Sequence, residues 1–188
     1  MALTISGTSN GKLGNLSLSA NTGDILDSAN TSFFSADTWR ITADFTITSA
    51  ATDIDLTTNW ERVDDNGAGY LGTGMTESSG VFTFPATGIW LINHGGGFYN
   101  NSGRIDWAAM MLRITTDNSD YTDNRTEMYC STDAGDFESQ TCSYIVDVTD
   151  TSLVKVKFEV RASDTSTILR GNSTETNTFA VFVRLGNT

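Results

Sequence analysis

The sequence predicts an all-β domain, either a sandwich of two sheets or a barrel. Apolar and polar residues alternate in short runs, and clusters of Gly, Asn, Asp and Ser separate these runs. Helical periodicity is nearly absent, and the single proline and 17 glycines suit a chain of strands and turns. The length of 188 residues fits one domain with a core that needs no disulfides.

The first 36 residues differ from the rest of the chain. They are rich in Ser, Asn, Gly and Thr, and their few apolar residues cannot bury a core of their own. We interpret residues 1–36 as an extended attachment arm that becomes ordered on docking, the alternative being a flexible tail, and residues 37–188 as the folded domain. The candidate docking residues are the apolar side chains of the arm: Leu3, Ile5, Leu13, Leu16 and Leu18.

The strand predictions follow in order along the domain. In its first half, strands are predicted over residues 39–48, 54–62, 80–84, 88–95 and 104–115. Asn66-Gly67 predicts a turn, and Pro85 separates the third predicted strand from the fourth. The run 104–115 (RIDWAAMMLRIT) would permit a helix, but its Ile and Trp residues and flanking turns favour a buried strand.

In the second half, strands are predicted over residues 127–132, 140–148, 153–161 and 178–185, with a polar loop at 162–177. The run 153–161 (LVKVKFEVR) alternates most clearly, with its valines and Phe158 on one face and charged residues on the other. The last run, 178–185 (TFAVFVRL), is apolar on both faces until Arg184. Such a strand is covered on both sides, and in a two-sheet sandwich the second cover has to be another subunit.

One face of each of these apolar strands is assigned to the core, and the other face is then a candidate subunit interface. We place Phe179, Val181, Val183 and Leu185 in the sandwich interior, so that Ala180 and Phe182 face outward. The same reasoning turns Trp90 and Ile92 outward. The predicted trimer interface therefore consists of Trp90, Ile92, Ala180 and Phe182, arranged by three-fold symmetry.

The charge of the chain argues against nucleic-acid partners, and its hydropathy argues against membrane binding. With 11 Lys+Arg against 23 Asp+Glu, the formal net charge is -12, and no basic cluster is present to displace phosphate counterions. No apolar run approaches the ~20 residues of a membrane span, and the N-terminus has no secretory pattern. We therefore expect neither nucleic-acid nor membrane binding.

A search for catalytic and metal-binding residues nominates none, and we expect no cofactor. His94 is the only histidine; it either pairs with Cys130 or Cys142, ligates an ion on a subunit axis, or is a partly exposed residue at a strand end. Calcium could use the oxygen-rich run 117–124, but the spacing is not that of an EF-hand.

Other polar features are also expected to have structural rather than catalytic roles. The acidic pairs within 64–65, 117–123 and 133–138 could cleave glycosides but are expected to be solvated loop charge. Gly95-Gly96-Gly97 is interpreted as a strand-end loop or as a close approach between subunits, not as a phosphate loop. Cys130 and Cys142 flank a predicted hairpin, where they form either a cross-strand disulfide or two reduced thiols.

The order of features resembles the globular C1q/TNF-like family. The resemblance rests on the stretch 80–92 (GVFTFPATGIWLI), on 154–160 after the polar turn 150–152, and on the closing 178–183 (TFAVFV), and it covers about residues 38–185. It implies an antiparallel two-sheet jelly roll that assembles as a homotrimer. This chain departs from the family in having Ala180 where a glycine is typical and in lacking a collagen-like stalk.

The N-terminal run MALTISGTSN and the Gly/Ser/Leu-rich sequence after it resemble the start of virion proteins from tailed bacteriophages. Together the two resemblances imply a non-enzymatic virion protein, assembled in the cytoplasm of a host bacterium. We expect a homotrimeric capsid decoration (cement) protein that docks on a major capsid or tail protein through residues 1–36. The alternative is a tail-fibre tip that recognises a glycan or protein of the host surface.

Overall fold

A computed structural model describes residues 35–188 except 66, 103 and 129–133, together with the backbone but not the side chains of 124–128. The arm and its docking candidates Leu3, Ile5, Leu13, Leu16 and Leu18 lie outside the described residues, as does Cys130. Their predicted roles stay predictions. The first described strand begins at Ala36.

The part of the chain that the structure describes forms thirteen strands and no helix. They are β1 (Ala36–Ile41), β2 (Ala43–Thr46), β3 (Ile54–Asp55), β4 (Trp60–Arg62), β5 (Thr76–Ser78), β6 (Val81–Thr83), β7 (Gly88–Asn100), β8 (Ala108–Thr115), β9 (Tyr121–Met128), β10 (Phe137–Val148), β11 (Lys155–Ala162), β12 (Thr167–Asn172) and β13 (Thr178–Gly186). None of these residues belongs to a helix that could cross a membrane.

The strands form two antiparallel sheets. The seven-stranded sheet has the order β2-β12-β7-β13-β1-β4, with β10 on the other side of β7. The six-stranded sheet has the order β5-β6-β11-β8-β9, with β3 also paired to β11. Neighbours in each sheet are mostly distant in sequence, as in a jelly roll.

The core between the sheets is aromatic. Phe82 of the six-stranded sheet meets three rings of the seven-stranded sheet, with centroid distances of 5.4 Å to Trp39, 5.1 Å to Trp60 and 5.2 Å to Phe182. Phe158 of β11 lies 5.5 Å from Phe82. Edge-on and tilted aromatic pairs of this kind stabilise a core beyond the area that they bury.

The strand predictions agree with the structure where alternation is regular, in β6, β7, β10, β11 and β13. Two predicted strands are divided: 39–48 becomes β1 and β2, and 54–62 becomes β3 and β4, which lie in different sheets. Of the strand predicted at 127–132, residues 127 and 128 belong to β9, which begins at Tyr121, and residues 129–132 lie outside the described residues. The predicted loop 162–177 contains β12, whose Thr167, Ile168 and Leu169 pair with the far end of β7. These differences arise because the strand boundaries depend on pairing with strands distant in sequence, which a local hydropathy pattern does not contain.

Candidate functional site

The predicted interface residues Trp90, Ile92, Ala180 and Phe182 lie inside the sandwich of a single chain, where none has measurable exposure. Phe182 packs on Phe82, and Trp90 packs 5.3 Å from Phe84. The indole Nε1 of Trp90 donates to the carbonyl of Ala86 at 3.2 Å. The interface prediction for these four residues is therefore wrong, because side chains in the core are not available to a second subunit.

The prediction exchanged the two faces of β13. Arg184 lies on the same side of β13 as Phe182, which is the core side. It lies at the end of that side, where its Nε donates to the carbonyl of Thr87 at 2.9 Å and its Nη2 to Asn187 Oδ1 at 2.9 Å. An arginine satisfied at the rim of a core does not mark the solvent side.

The opposite side of the same strands forms an apolar face directed away from the core. Ile145, Leu91 and Val183 lie side by side in register on β10, β7 and β13. Ile145 is 58% exposed and Leu185 50%, whereas the members on the central strands are half-buried by their neighbours. The apolar face consists of Ile89, Leu91, Ile145, Phe179, Val181, Val183 and Leu185.

This face is uncharged at its centre, whereas Asp147 and Arg40 pair in register with its members Ile89 and Phe179 at the ends. The next row in register contains Ser143, Asn93 and Val181, and Ser143 Oγ donates to Asn93 Oδ1 at 3.1 Å. The hydrogen bond satisfies part of both groups within one chain, which lowers the free energy of burying them. A contiguous apolar patch of this kind marks an interaction surface.

Gly95 and Gly96 lie in the middle of β7, so the predicted strand-end loop is wrong, while the alternative, a close approach between subunits, stays a prediction. A Cβ on Gly95 would lie 2.6 Å from the ring of Phe179, and one on Gly96 would lie 2.8 Å from Thr178 Oγ1 and 2.9 Å from Met110 Cε. These glycines leave room for side chains of neighbouring strands and of the core. Their role lies in packing within the chain.

His94 is fully buried, so the prediction of a partly exposed residue at a strand end is wrong. Its Nδ1 donates to the carbonyl of Phe179 at 2.7 Å, its ring stacks on Phe158 at 4.3 Å, and its buried Nε2 has no hydrogen-bond partner among the described residues. Burial lowers the pKa of His94 to about 4. The imidazole is therefore neutral near pH 7.

The predicted alternative in which His94 activates Cys142 also fails on geometry and protonation. The two residues are register partners on β7 and β10, but no hydrogen bond joins them. Burial raises the pKa of the Cys142 thiol to about 11, and the nucleophilic form of cysteine is the thiolate. This pair is part of the core.

The segment considered for calcium instead closes the β8–β9 hairpin. Asp117 Oδ1 accepts hydrogen bonds from Ser119 N at 2.8 Å, Asp120 N at 2.9 Å and Thr115 Oγ1 at 2.8 Å. These bonds, foremost that from the Asp120 amide, lower the pKa of Asp117. Asp123 pairs with Arg113 at 2.8 Å. Among described residues no cluster of three metal-ligating side chains was found.

The outward side of the six-stranded sheet is a charged face, defined by Asp53, Asp55, Arg113, Asp123, Lys157, Glu159 and Arg161. Lys157 Nζ lies 2.8 Å from Asp55 Oδ1 and 2.9 Å from Glu159 Oε1, and Arg113 pairs with Asp53 at 2.7 Å and also with Glu159. Burial and the hydrogen bond with Asp55 raise the pKa of Glu159. Burial opposes ionisation of Asp55, but bonds with Glu159 and Lys157 outweigh it and lower its pKa.

A groove near the edge strand β4 is built around an ion pair. Asp37 is buried and accepts from Arg62 Nε at 2.9 Å, Arg62 Nη2 at 3.1 Å, Trp39 Nε1 at 2.9 Å and the amide of Met75 at 2.7 Å. The Arg62 guanidinium lies 4.8 Å from the Trp39 ring and 4.7 Å from the Tyr70 ring. The Arg62 groove, about 520 Å³, is lined by Trp39, Arg62, Tyr70 and residues 72–77.

Sequence reasoning did not nominate the Arg62 groove. Asp37 and Arg62 are 25 residues apart, and residues 72–77 reach the ion pair only through the fold. The residue in the sequence that reports on the groove is Gly74. A Cβ there would lie 2.6 Å from Asp37 Oδ2 and 2.7 Å from Arg62 Nη2, so the ion pair leaves room only for glycine. Without the structure, that glycine is one of 17.

The two sheets, their strand order and the aromatic core define a TNF-like jelly roll. Solved structures with the same fold include murine APRIL, which matches with a TM-score of 0.57 and 12% identity over 81% of this chain and 99% of that chain. Eiger TNF from S. frugiperda matches with a TM-score of 0.53 and 14% identity, over 83% and 95%. No protein-family model and no curated protein matches the sequence. The comparisons therefore concern the fold alone.

Proposed function

We propose that the domain is the head of a non-enzymatic homotrimer whose subunits meet through the apolar face. The observation that carries this proposal is the row Ile145–Leu91–Val183, which crosses three neighbouring strands with no charge between its members. A chain alone in water would expose this row at a cost in free energy, and association removes it from water.

The shape and edge of the sheet support a closed assembly around an axis. The apolar face reaches β10, whose pairing partner among the described strands is β7, so that its other edge is outermost in the sheet. Tyr144 of β10 is 40% exposed and lies on the opposite side of this strand from Ile145, since its register partner is the core residue Ile92. In a ring each subunit offers one surface and receives another, and the apolar face and the exposed outer strand are two such surfaces. Three subunits close such a ring in the family that the sequence resembles.

Within this proposal the trimer is a virion component, a capsid decoration protein of a bacteriophage that docks through residues 1–36. The support is the composition of the arm, its resemblance to the start of phage virion proteins and the net charge of -12. Three arms on one trimer would multiply weak contacts with a major capsid or tail protein by avidity.

Sedimentation of the full chain tests the assembly. A single chain has a mass of 20.3 kDa and a trimer about three times that mass, so the two sediment very differently. We expect the trimer at micromolar concentration. A single chain at that concentration would contradict the proposal.

A deletion tests the attachment role separately. Removal of residues 1–34, which leaves Ser35 and all thirteen described strands in place, is expected to preserve the trimer and abolish incorporation into particles. Incorporation at the level of the full chain would refute the role of the arm. Density for the head on a purified particle would locate it on capsid or tail.

A second candidate function is recognition of a host surface by the same trimer, as a fibre tip or receptor-binding head. The Arg62 groove favours this candidate, since it combines exposed aromatic surface with a fixed guanidinium at the edge of the sheet. Adsorption of the purified trimer to host cells separates the two candidates. A protein that only stabilises a capsid binds no cells.

A further inference from the structure

We propose that the Arg62 groove is a binding site for a neutral saccharide. The inference rests on the second candidate function, receptor recognition, and names its ligand class. Its size, about 520 Å³, falls within the range of small-molecule sites and suits one to two sugar rings.

The walls of the groove offer the two kinds of surface that a sugar presents. Tyr70 is 56% exposed, so one face of its ring can receive the apolar C–H face of a sugar while Arg62 lies over the ring at 4.7 Å. The hydroxyl-bearing edge of the same sugar can bond to the polar groups of residues 72–77, which include Thr73, Thr76 and Glu77.

The guanidinium at the centre is held in place before any ligand arrives. Arg62 uses Nε and Nη2 for Asp37, and Nη2 also donates to the carbonyl of Met75 at 2.7 Å. Nη1 makes no hydrogen bond to another described residue, and the Arg62 side chain is a third exposed. A fixed arginine with free N–H groups can donate to sugar hydroxyls without losing side-chain entropy on binding.

The charge of the groove selects a neutral ligand. Asp37 neutralises Arg62 at 2.9 Å, and Glu77 leaves the lining with a net negative charge. Glu61, Asp64 and Asp65 cluster around the neighbouring Arg40. A chain with net charge -12 repels an anionic sugar further. A cationic group placed against Arg62 would meet only N–H donors, which cannot accept its hydrogen bonds, so an uncharged polyhydroxylated ring fits best.

The groove lies near β4, whereas the apolar face occupies β7, β10 and β13. In the proposed trimer three grooves therefore stay open. Single sites of this kind bind weakly, and three on one particle-bound head increase the apparent affinity without a new contact.

The test uses the fluorescently labelled full chain on an array of immobilised neutral and acidic oligosaccharides, followed by saturation-transfer NMR with the free sugars that bind. We expect at least one neutral oligosaccharide to bind. Tyr70→Ala should weaken its binding at least tenfold, because the stacking surface is lost. Tyr70→Phe keeps the ring and should stay within about threefold of the parent.

Leu71→Ala is the matched control. Leu71 is 55% exposed, adjacent to Tyr70 and outside the lining, so the change should leave sugar binding within twofold. Sedimentation of each variant checks that the trimer persists, so that loss of the ligand site is told apart from failure of the assembly. Three results would overturn the inference: an array without any neutral ligand, a preference for acidic sugars, or equal losses for Tyr70→Ala and Leu71→Ala.

Discussion

The outward faces of the two sheets differ, although both belong to one sandwich. On the seven-stranded sheet, the apolar face places Ile145, Leu91 and Val183 in one row without a charge. On the six-stranded sheet, the charged face joins Lys157 and Glu159 in a network of ion pairs. One face is therefore suited to leave water and the other to remain in it, because burying apolar surface is favourable, whereas burying charged groups costs desolvation free energy even when they are paired.

The largest expected effect comes from placing a charge on the apolar face. Val181→Asp should convert the trimer to single chains, since an unpaired carboxylate in each of three contacts costs about 3 kcal/mol or more per subunit. Val81→Asp makes the same change on the other sheet, where its register partner is Lys157, and should leave the trimer intact. Sedimentation of both variants measures the difference. Trimers of equal stability in the two variants would contradict this difference between the faces.

The next effect contrasts the two sides of β13. Phe182→Ala removes a fully buried ring from the core and should lower the free energy of unfolding by about 3–5 kcal/mol. Val181→Ala, one residue away on the apolar face, should cost much less in denaturant unfolding of dissociated chains. Similar losses for the two variants would mean that the sides of β13 are assigned incorrectly.

The buried His94 predicts a dependence of stability on pH. Its folded pKa of about 4 lies below the ordinary histidine value of 6.5, so the unfolded chain binds more protons between these values. Its contribution to stability is therefore lost as pH falls from 6.5 towards 4, by about 3 kcal/mol at most. His94→Phe keeps the stack on Phe158 and should remove this part of the pH dependence. Parallel unfolding curves for the two proteins across this range would contradict the prediction.

The smallest effect is expected on the charged face. The raised pKa of Glu159 means that its ionised form is disfavoured in the folded chain, so its stabilising contribution is present at low pH and lost as pH rises through its folded pKa. Glu159→Gln should change the free energy of unfolding at pH 7 by less than about 1 kcal/mol, because Arg113 keeps Asp53 and Asp123 as partners and Lys157 keeps Asp55, so neither cation is left unpaired. Thermal unfolding measures it, and a loss of several kcal/mol would show that the network is a major source of stability.

Regular alternation was sufficient to predict the fold class and the central strands. Val156, Phe158 and Val160 all point into the core, as their pattern in 153–161 indicates. The pattern failed where both faces of a strand are apolar, in β7 and β13, because either phase buries a comparable apolar surface. The aromatic rings on the opposing sheet decide the phase, since Phe82 needs Phe182 as a packing partner.

The candidate sites depended on the structure to different degrees. The sequence indicated that an apolar surface of the last strand would meet another subunit, but not which side of the strand carries it. The Arg62 groove was not predictable, because Asp37, Arg62 and residues 72–77 meet only after β1 pairs with β4. His94 was misjudged because burial depends on its place in the middle of β7.

By itself the sequence determined an all-β sandwich or barrel with a surplus of apolar surface on its last strands, since alternation and turn residues act locally along the chain, and only its resemblance to the C1q/TNF-like family implied a jelly roll. Only the tertiary structure decided which of two apolar faces is core, which residues surround Arg62 and which nitrogen of His94 has no partner in the described part of the chain. Those outcomes depend on contacts between residues far apart in sequence, where packing of large rings and satisfaction of buried polar groups select one arrangement.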